Sequence, residues 1–246
     1  MRAETRFLTR TAAALAILLA VGCGGTMRGL AQSSLSAEAR KVLSSMDARA
    51  KALTTLTADL KQTKVTILVD PPDVAQKTGK LFYKKSRRKS TFKVDYQEPV
   101  PSTILLEKGK VSILEPRIKR YQEIHTGNGS ATAKLPLFWI GRSGRSIRRD
   151  NDVRHIKTDR GDGRPTSLLE LKPRSTATQG MFPRILLWVD HKYWIPIQTR
   201  IFEASGDYHT ILLSNVEINP GLHDRTFKLK VPPDYERMEQ KLPPSR

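Results

Sequence analysis

From residue 65 to residue 230 the chain is built of short runs in which apolar and polar residues alternate, each ended by turn-forming residues. This period of two restricts the fold more than any other feature of the sequence. Val65-Thr66-Ile67-Leu68-Val69 reads as a strand broken by Asp70-Pro71-Pro72-Asp73. Residues 80–84 follow, with Leu81 and Tyr83 on one face. Phe92, Val94 and Tyr96 then alternate with Lys93 and Asp95, the pattern of a half-buried strand. Residues 102–106 and 110–114 flank Glu107-Lys108-Gly109 and predict a hairpin. Further strands are predicted at 118–124, 153–157, 167–172, 184–190, 195–204, 208–217 and 227–230, with Ser205-Gly206-Asp207 as a tight turn. Ten or eleven strands at hairpin spacing predict a mainly β, α+β domain in which one antiparallel sheet curls toward a barrel.

A helix precedes the strands. Leu43, Met46, Ala50, Leu53 and Leu60 recur at helical spacing, with Thr57 filling the stripe, and predict a helix over 37–59 with Ser36 as N-cap and Glu38 in its first turn. A second interruption falls at Gly127-Asn128-Gly129-Ser130. It is followed at 134–141 by a short helix opened by Pro136 and carrying Leu137-Phe138-Trp139-Ile140. Four consecutive apolar residues cannot share one helix face, so some of them must reach a partner surface, a bound chain or the sheet interior. Residues 142–154 are strongly basic and read as exposed. The tail from 232 onward, with four prolines, reads as irregular.

The N-terminus reads as an export signal. Arg2, Arg6 and Arg10 precede an apolar run over 12–21, too short to cross the roughly 30 Å hydrocarbon core of a bilayer. Leu19-Ala20-Val21-Gly22-Cys23 resembles the lipobox of bacterial lipoproteins, which implies cleavage before Cys23 and acylation of its sulfur. The alternative is a secreted chain cut after Ala31, with Gly29 and Ala31 as the small residues of the site. Segment 1–22 is then the signal, 23–35 a flexible tether, 36–232 the folded domain and 233–246 a basic tail. Several acyl chains on one cysteine hold a protein firmly at a membrane.

Cys23 is the only cysteine, which excludes an intrachain disulfide and a thiolate-rich zinc site. The five histidines form no metal-ligand pair, and neither a G-x-S-x-G elbow nor a phosphate-binding glycine loop is present. No catalytic residue, metal or cofactor is therefore assigned. The formal charge is +19, and Lys84-Lys85-Ser86-Arg87-Arg88-Lys89 is its densest cluster, flanked by Tyr83 and Phe92. Export away from the cytoplasm makes an anionic membrane surface, rather than nucleic acid, the expected counterpart.

Seven segments in order resemble the LolA/LolB-type lipoprotein carriers of the bacterial envelope. They are Leu56-Thr57-Ala58-Asp59-Leu60-Lys61-Gln62, read as the end of the long helix; Gly79-Lys80-Leu81-Phe82-Tyr83-Lys84-Lys85; Val94-Asp95-Tyr96-Gln97-Glu98-Pro99; Glu107-Lys108-Gly109-Lys110-Val111; Pro136-Leu137-Phe138-Trp139-Ile140-Gly141; Leu187-Trp188-Val189-Asp190 with Trp194-Ile195-Pro196-Ile197; and Asn219-Pro220-Gly221-Leu222 with Phe227 and Val231-Pro232. The resemblance implies an unclosed half-pipe covered by the long helix and a short central helical lid, with acyl chains of lipids or lipoproteins held between them. Leu81, Tyr83, Phe92, Val94, Leu137 and Trp139 are the expected lining. The family's lid-latching arginine corresponds by position to Lys85, with Arg87 and Arg88 as substitutes. The implied partners are acyl chains, the anionic membrane and envelope transport components. Gly24 after the cysteine implies the outer membrane. Two rivals remain: an envelope-stress sensor domain on the same half-pipe, and an envelope enzyme acting on lipid or glycan.

Cys23→Ala is expected to move the protein from the membrane fraction to the soluble periplasmic fraction or to leave its leader uncleaved. Fractionation and the mass of the mature chain check this, and wild-type processing of the variant would exclude lipidation.

Overall fold

A computed structural model describes residues 35–86, 89–107, 109–125, 139–161 and 163–241. Helix α1 spans Ala37–Ala52 and is followed by β1 (Thr55–Thr66), β2 (Asp73–Ser86), β3 (Lys89–Glu98), β4 (Ser102–Glu107), β5 (Lys110–Glu115) and β6 (Arg120–His125). Helix α2 (Gly144–Asp150) leads into β7 (Asn151–Gly161) and β8 (Arg164–Pro173), and α3 (Thr176–Met181) precedes β9 (Arg184–Asp190), β10 (Pro196–Phe202), β11 (Tyr208–Ile218) and β12 (Glu236–Lys241). The strands form one 12-stranded sheet in the order β12-β6-β5-β4-β3-β2-β1-β11-β10-β9-β8-β7. Its two outer strands do not pair, so the curl stays unclosed. Neighbours are antiparallel throughout, except that β12 runs parallel to β6.

Register sorts the apolar residues onto one face. Leu56 stands opposite Tyr83, Tyr83 opposite Phe92, Phe92 opposite Leu106, Leu106 opposite Val111 and Val111 opposite Ile124. The next row runs Ala58, Leu81, Val94, Ile104, Ile113. On the other side of β1, Leu60 faces Leu213, and Ile201, Ile185, Leu171 and Val153 form a third row. Since side chains alternate across a strand, these rows share the concave face and Lys93, Asp95 and Lys84 take the convex one.

Helices cover the half of that face built by β8, β9 and β10. Ser36 caps α1 by accepting the Ala39 amide at 3.1 Å, and Val42, Leu43 and Met46 pack with Trp139 and Ile147 against Leu169, Leu171, Ile185 and Leu187. The helices α1 and α2 touch at Gly144, where an added Cβ would lie 2.1 Å from the Leu43 carbonyl oxygen.

The strand read at 65–69 is the end of β1, which stops at Thr66, and four further expectations change. Helix α1 stops at Ala52, and the stretch Leu56–Gln62 (read as helix) lies within β1. Thr54, Thr55 and Thr57 are β-branched and favour extended backbone, and Leu56, Ala58 and Leu60 also satisfy a period of two. Asn219 fixes the exit: its Oδ1 accepts the amides of Thr54 (2.8 Å) and Thr55 (3.2 Å), and its Nδ2 donates to the Ala52 carbonyl (3.0 Å). The basic segment 142–154, read as exposed, contains α2, capped by Ser143, and buries Gly144, Ile147 and Asn151. No strand forms at 227–230; a 3-10 turn over Asp224–Phe227 buries Phe227 instead. Finally, the tail is not irregular throughout, because Glu236–Lys241 pairs along β6 through the backbone, with all six residues exposed and Glu239 3.2 Å from His125 Nε2. The lid expected over 134–141 lies outside the described residues as far as 138.

The segment between β11 and β12 crosses the convex face. It leaves β11 beside Thr55, pairs Asp224 with Lys84 of β2, contacts β3 and reaches the far edge, where the Glu236 amide donates to the Lys119 carbonyl at 2.8 Å. Gly144→Ala is expected to push α2 off α1 and to cost about 1–3 kcal/mol, as overpacking does. Thermal unfolding checks this against Gly180→Ala, where an added methyl meets nothing within 4 Å.

Candidate functional site

The structure brings Leu81, Tyr83, Phe92 and Val94 together on the concave face. Leu81 pairs with Val94 and Tyr83 with Phe92, whose rings lie 5.0 Å apart at 55°. All four are buried, Leu81 at 0% and Phe92 at 5% exposure, so in this state they are core. The Tyr83 hydroxyl lies 3.2 Å from Ser90 Oγ, and burial pushes its pKa up.

Two consecutive residues close this surface. Ile140 joins the buried cluster that contains Tyr83, Phe92 and Leu53, while Trp139 joins the one that contains Met46 and Leu169 under the helices. The divergence follows from the run of adjacent apolar residues, which cannot all face one way. Gly141 then takes φ +74° and lies so close to Tyr83 that a Cβ would come 2.4 Å from its hydroxyl. Arg142 stacks over Trp139 at 5.3 Å and pairs with Asp150. Leu137 lies outside the described residues.

Lys85, expected as the latch, bonds α1. Its ammonium donates to the Ala50 carbonyl at 2.6 Å, one of the last carbonyls of a helix that lack a partner within it. Arg87 and Arg88 lie outside the described residues.

Sequence reasoning missed Ile104, Ile113 and Ile124, half-buried residues that carry the apolar rows on toward β6. Their signal was the same alternation, in strands already recognised. At the other end of the concave face the surface turns polar. Tyr96 donates to Gln62 Oε1, and burial pushes the Tyr96 pKa up to about 12. His209 Nε2 lies 2.6 Å from Glu203. Among the described residues no three His, Cys, Asp or Glu side chains gather to hold a metal, and no helix is long and apolar enough to cross a membrane.

A curled, unclosed sheet whose apolar hollow is roofed by helices defines the class of half-barrel proteins. The chain belongs to the family of the outer membrane lipoprotein carrier protein LolA, whose profile matches residues 51–230. Among solved structures, an uncharacterized conserved protein from Thermus thermophilus superposes with a TM-score of 0.53 at 11% identity, covering 82% of this chain and 99% of that one. MucB superposes at 0.51 with 15% identity, covering 79% of this chain and 64% of its own. The MucA/MucB complex of Pseudomonas aeruginosa gives 0.48 at 12% identity, with 79% and 62% covered. The chain thus spans just under two thirds of the MucB chains it matches, and at these identities the likeness is one of fold. No curated protein matches.

The raised Tyr96 pKa sets a pH dependence. The folded state holds the phenolic proton more tightly than the unfolded chain, whose tyrosines titrate near 10. The stability from this group is therefore present below about pH 10 and is lost as pH rises toward 12. Ultraviolet titration should show a late-ionising tyrosine that Tyr96→Phe removes.

Proposed function

We propose that the concave face binds acyl chains of a lipid or lipoprotein, and that the protein is a non-enzymatic carrier or acceptor of the bacterial cell envelope. In this reading it is tethered by Cys23, faces the periplasm from the outer membrane, and is drawn to anionic lipid by its positive charge. One observation carries the reading. The apolar rows that begin in the buried Leu81–Val94 and Tyr83–Phe92 pairs continue without a polar break to the half-buried Ile104, Ile113 and Ile124. A hollow of this kind suits a ligand recognised by area rather than by directed bonds, at about 0.8 kcal/mol per buried methylene. The family's function as lipoprotein carriers supports it further.

Because Leu81, Tyr83, Phe92 and Val94 are covered in this state, uptake on this reading begins at Ile113 and Ile124 and displaces the segment around Ile140. Ile113→Glu and Leu137→Glu each introduce a charge that costs several kcal/mol to bury unpaired. Both variants are expected to weaken binding of a fluorescent fatty-acyl probe at least tenfold while circular dichroism still reports a folded, β-rich domain. A folded Leu137→Glu protein with undiminished binding would remove that segment from the site. Failure of the wild-type protein to bind any acyl probe would refute the carrier reading.

A further inference from the structure

Beside the roof of the concave face lies a cleft of about 420 Å³ between the end of α1 and the start of α2, within the size range of small-ligand pockets. Lys51, Lys85, Arg142 and Arg145 line it, against one carboxylate, Asp47. A second cleft of about 230 Å³ shares Asp47 and Arg145 and adds Arg40 and Arg148. Asp47 is already engaged, accepting the Arg145 backbone amide at 3.0 Å. Among the described residues, no carboxylate lies within ion-pair distance of the Lys51, Arg145 or Arg148 side chains. Some cations elsewhere on the surface do find a carboxylate, as in Lys93–Asp95, Lys110–Glu123 and Arg154–Glu170. Arg142 has Asp150 as its carboxylate, but the remaining like charges around Asp47 repel one another, and an anion relieves that repulsion.

The cleft also adjoins the apolar face. Lys85 lies two residues beyond Tyr83 on β2, hence on the same side of the sheet and about 6–7 Å further along it. Gly141, in the cleft wall, lies against the Tyr83 ring. A chain lying over Tyr83 would place its polar end among these cations.

We propose that this cleft is the head-group site of the amphiphile whose acyl chains the concave face takes, and that it selects a phosphate-bearing head. The proposal rests on the acyl-binding reading. The guanidinium of Arg145 offers a planar fork matched to phosphate oxygens, and Lys51 and Lys85 add point charges. The Ser143 oxygen already accepts the Ser146 amide at 3.1 Å, which leaves its hydroxyl proton free to donate.

The test compares two probes with the same oleoyl chain, lysophosphatidic acid and neutral monoolein, on the full mature protein and on the Lys51→Glu/Arg145→Glu variant. Both substituted side chains are exposed, and circular dichroism checks the fold. Wild type is expected to bind the phosphate-headed probe about tenfold more tightly, an advantage that salt weakens and the variant loses. Monoolein binding is expected to stay unchanged in the variant. Equal affinity of wild type for both probes, or a preference that survives in the variant, would overturn the head-group site. If wild type binds neither probe, the acyl reading fails. Calorimetric binding of inorganic phosphate, lost in the variant, would then mark a free-phosphate site and overturn the head-group assignment.

Discussion

An unclosed sheet with one apolar face must have that face covered. Cross-strand pairing aligns Leu56, Tyr83, Phe92, Leu106 and Val111 into a continuous apolar row across five strands, and water cannot be left against it. A closed barrel would fill such a hollow from all sides. Here β7 and β12 do not meet, so the cover comes from outside the sheet: α1, α2 and the residues from Trp139 to Gly141. The cover is unequal. Over β8–β10 the helices leave Leu169, Leu171 and Leu187 fully buried, whereas toward β6 Ile104, Ile113 and Ile124 remain half-exposed. That asymmetry sets which end of the hollow is shut and which is accessible.

The sheet was legible because its signal is local. Phe92, Val94 and Tyr96, or Leu81 and Tyr83, declare their face within five residues. The failures lie where two periods coincide or where no period exists. Met46, Ala50, Leu53, Thr57 and Leu60 fit a helix, yet Leu56, Ala58 and Leu60 fit a strand equally well. The decision comes from β2 and β11, which pair with both sides of β1 and lie far from it in sequence at β11. At β12 the sequence Glu236-Arg237-Met238-Glu239-Gln240-Lys241 has one apolar residue, because its strand conformation depends on the free backbone edge of β6 and not on burial.

The candidate site divides in the same way. Its sheet residues were visible, since alternation that fills a core also lines a hollow. Its roof was only partly visible: adjacent Trp139 and Ile140 had to diverge, but no local pattern says that one joins the helices and the other the sheet. The basic cleft was invisible. Asp47 and Arg145 are 98 positions apart and meet only because Gly144 lets α2 approach the backbone of α1. Lys85 was singled out as a latch by counting alone, and its position was informative although its partner is the Ala50 carbonyl of α1.

The same residues serve as core in this state and as lining in the proposed function, and the energetics of that double role are those of an exchange. Replacing the apolar cover that Ile140 gives the cluster of Tyr83 and Phe92 by a hydrocarbon chain changes little apolar area per atom, so on that reading the ligand gains chiefly what the open end of the hollow adds. On the proposed reading, entry has to displace a segment fastened at Trp139, at the Arg142–Asp150 pair and by the close seat of Gly141 on Tyr83. Affinity is then the difference between two packings rather than the sum of one, and it is reduced by whatever fraction of the protein remains closed. The Lys85–Ala50 bond lies outside that segment and ties the end of α1 to β2.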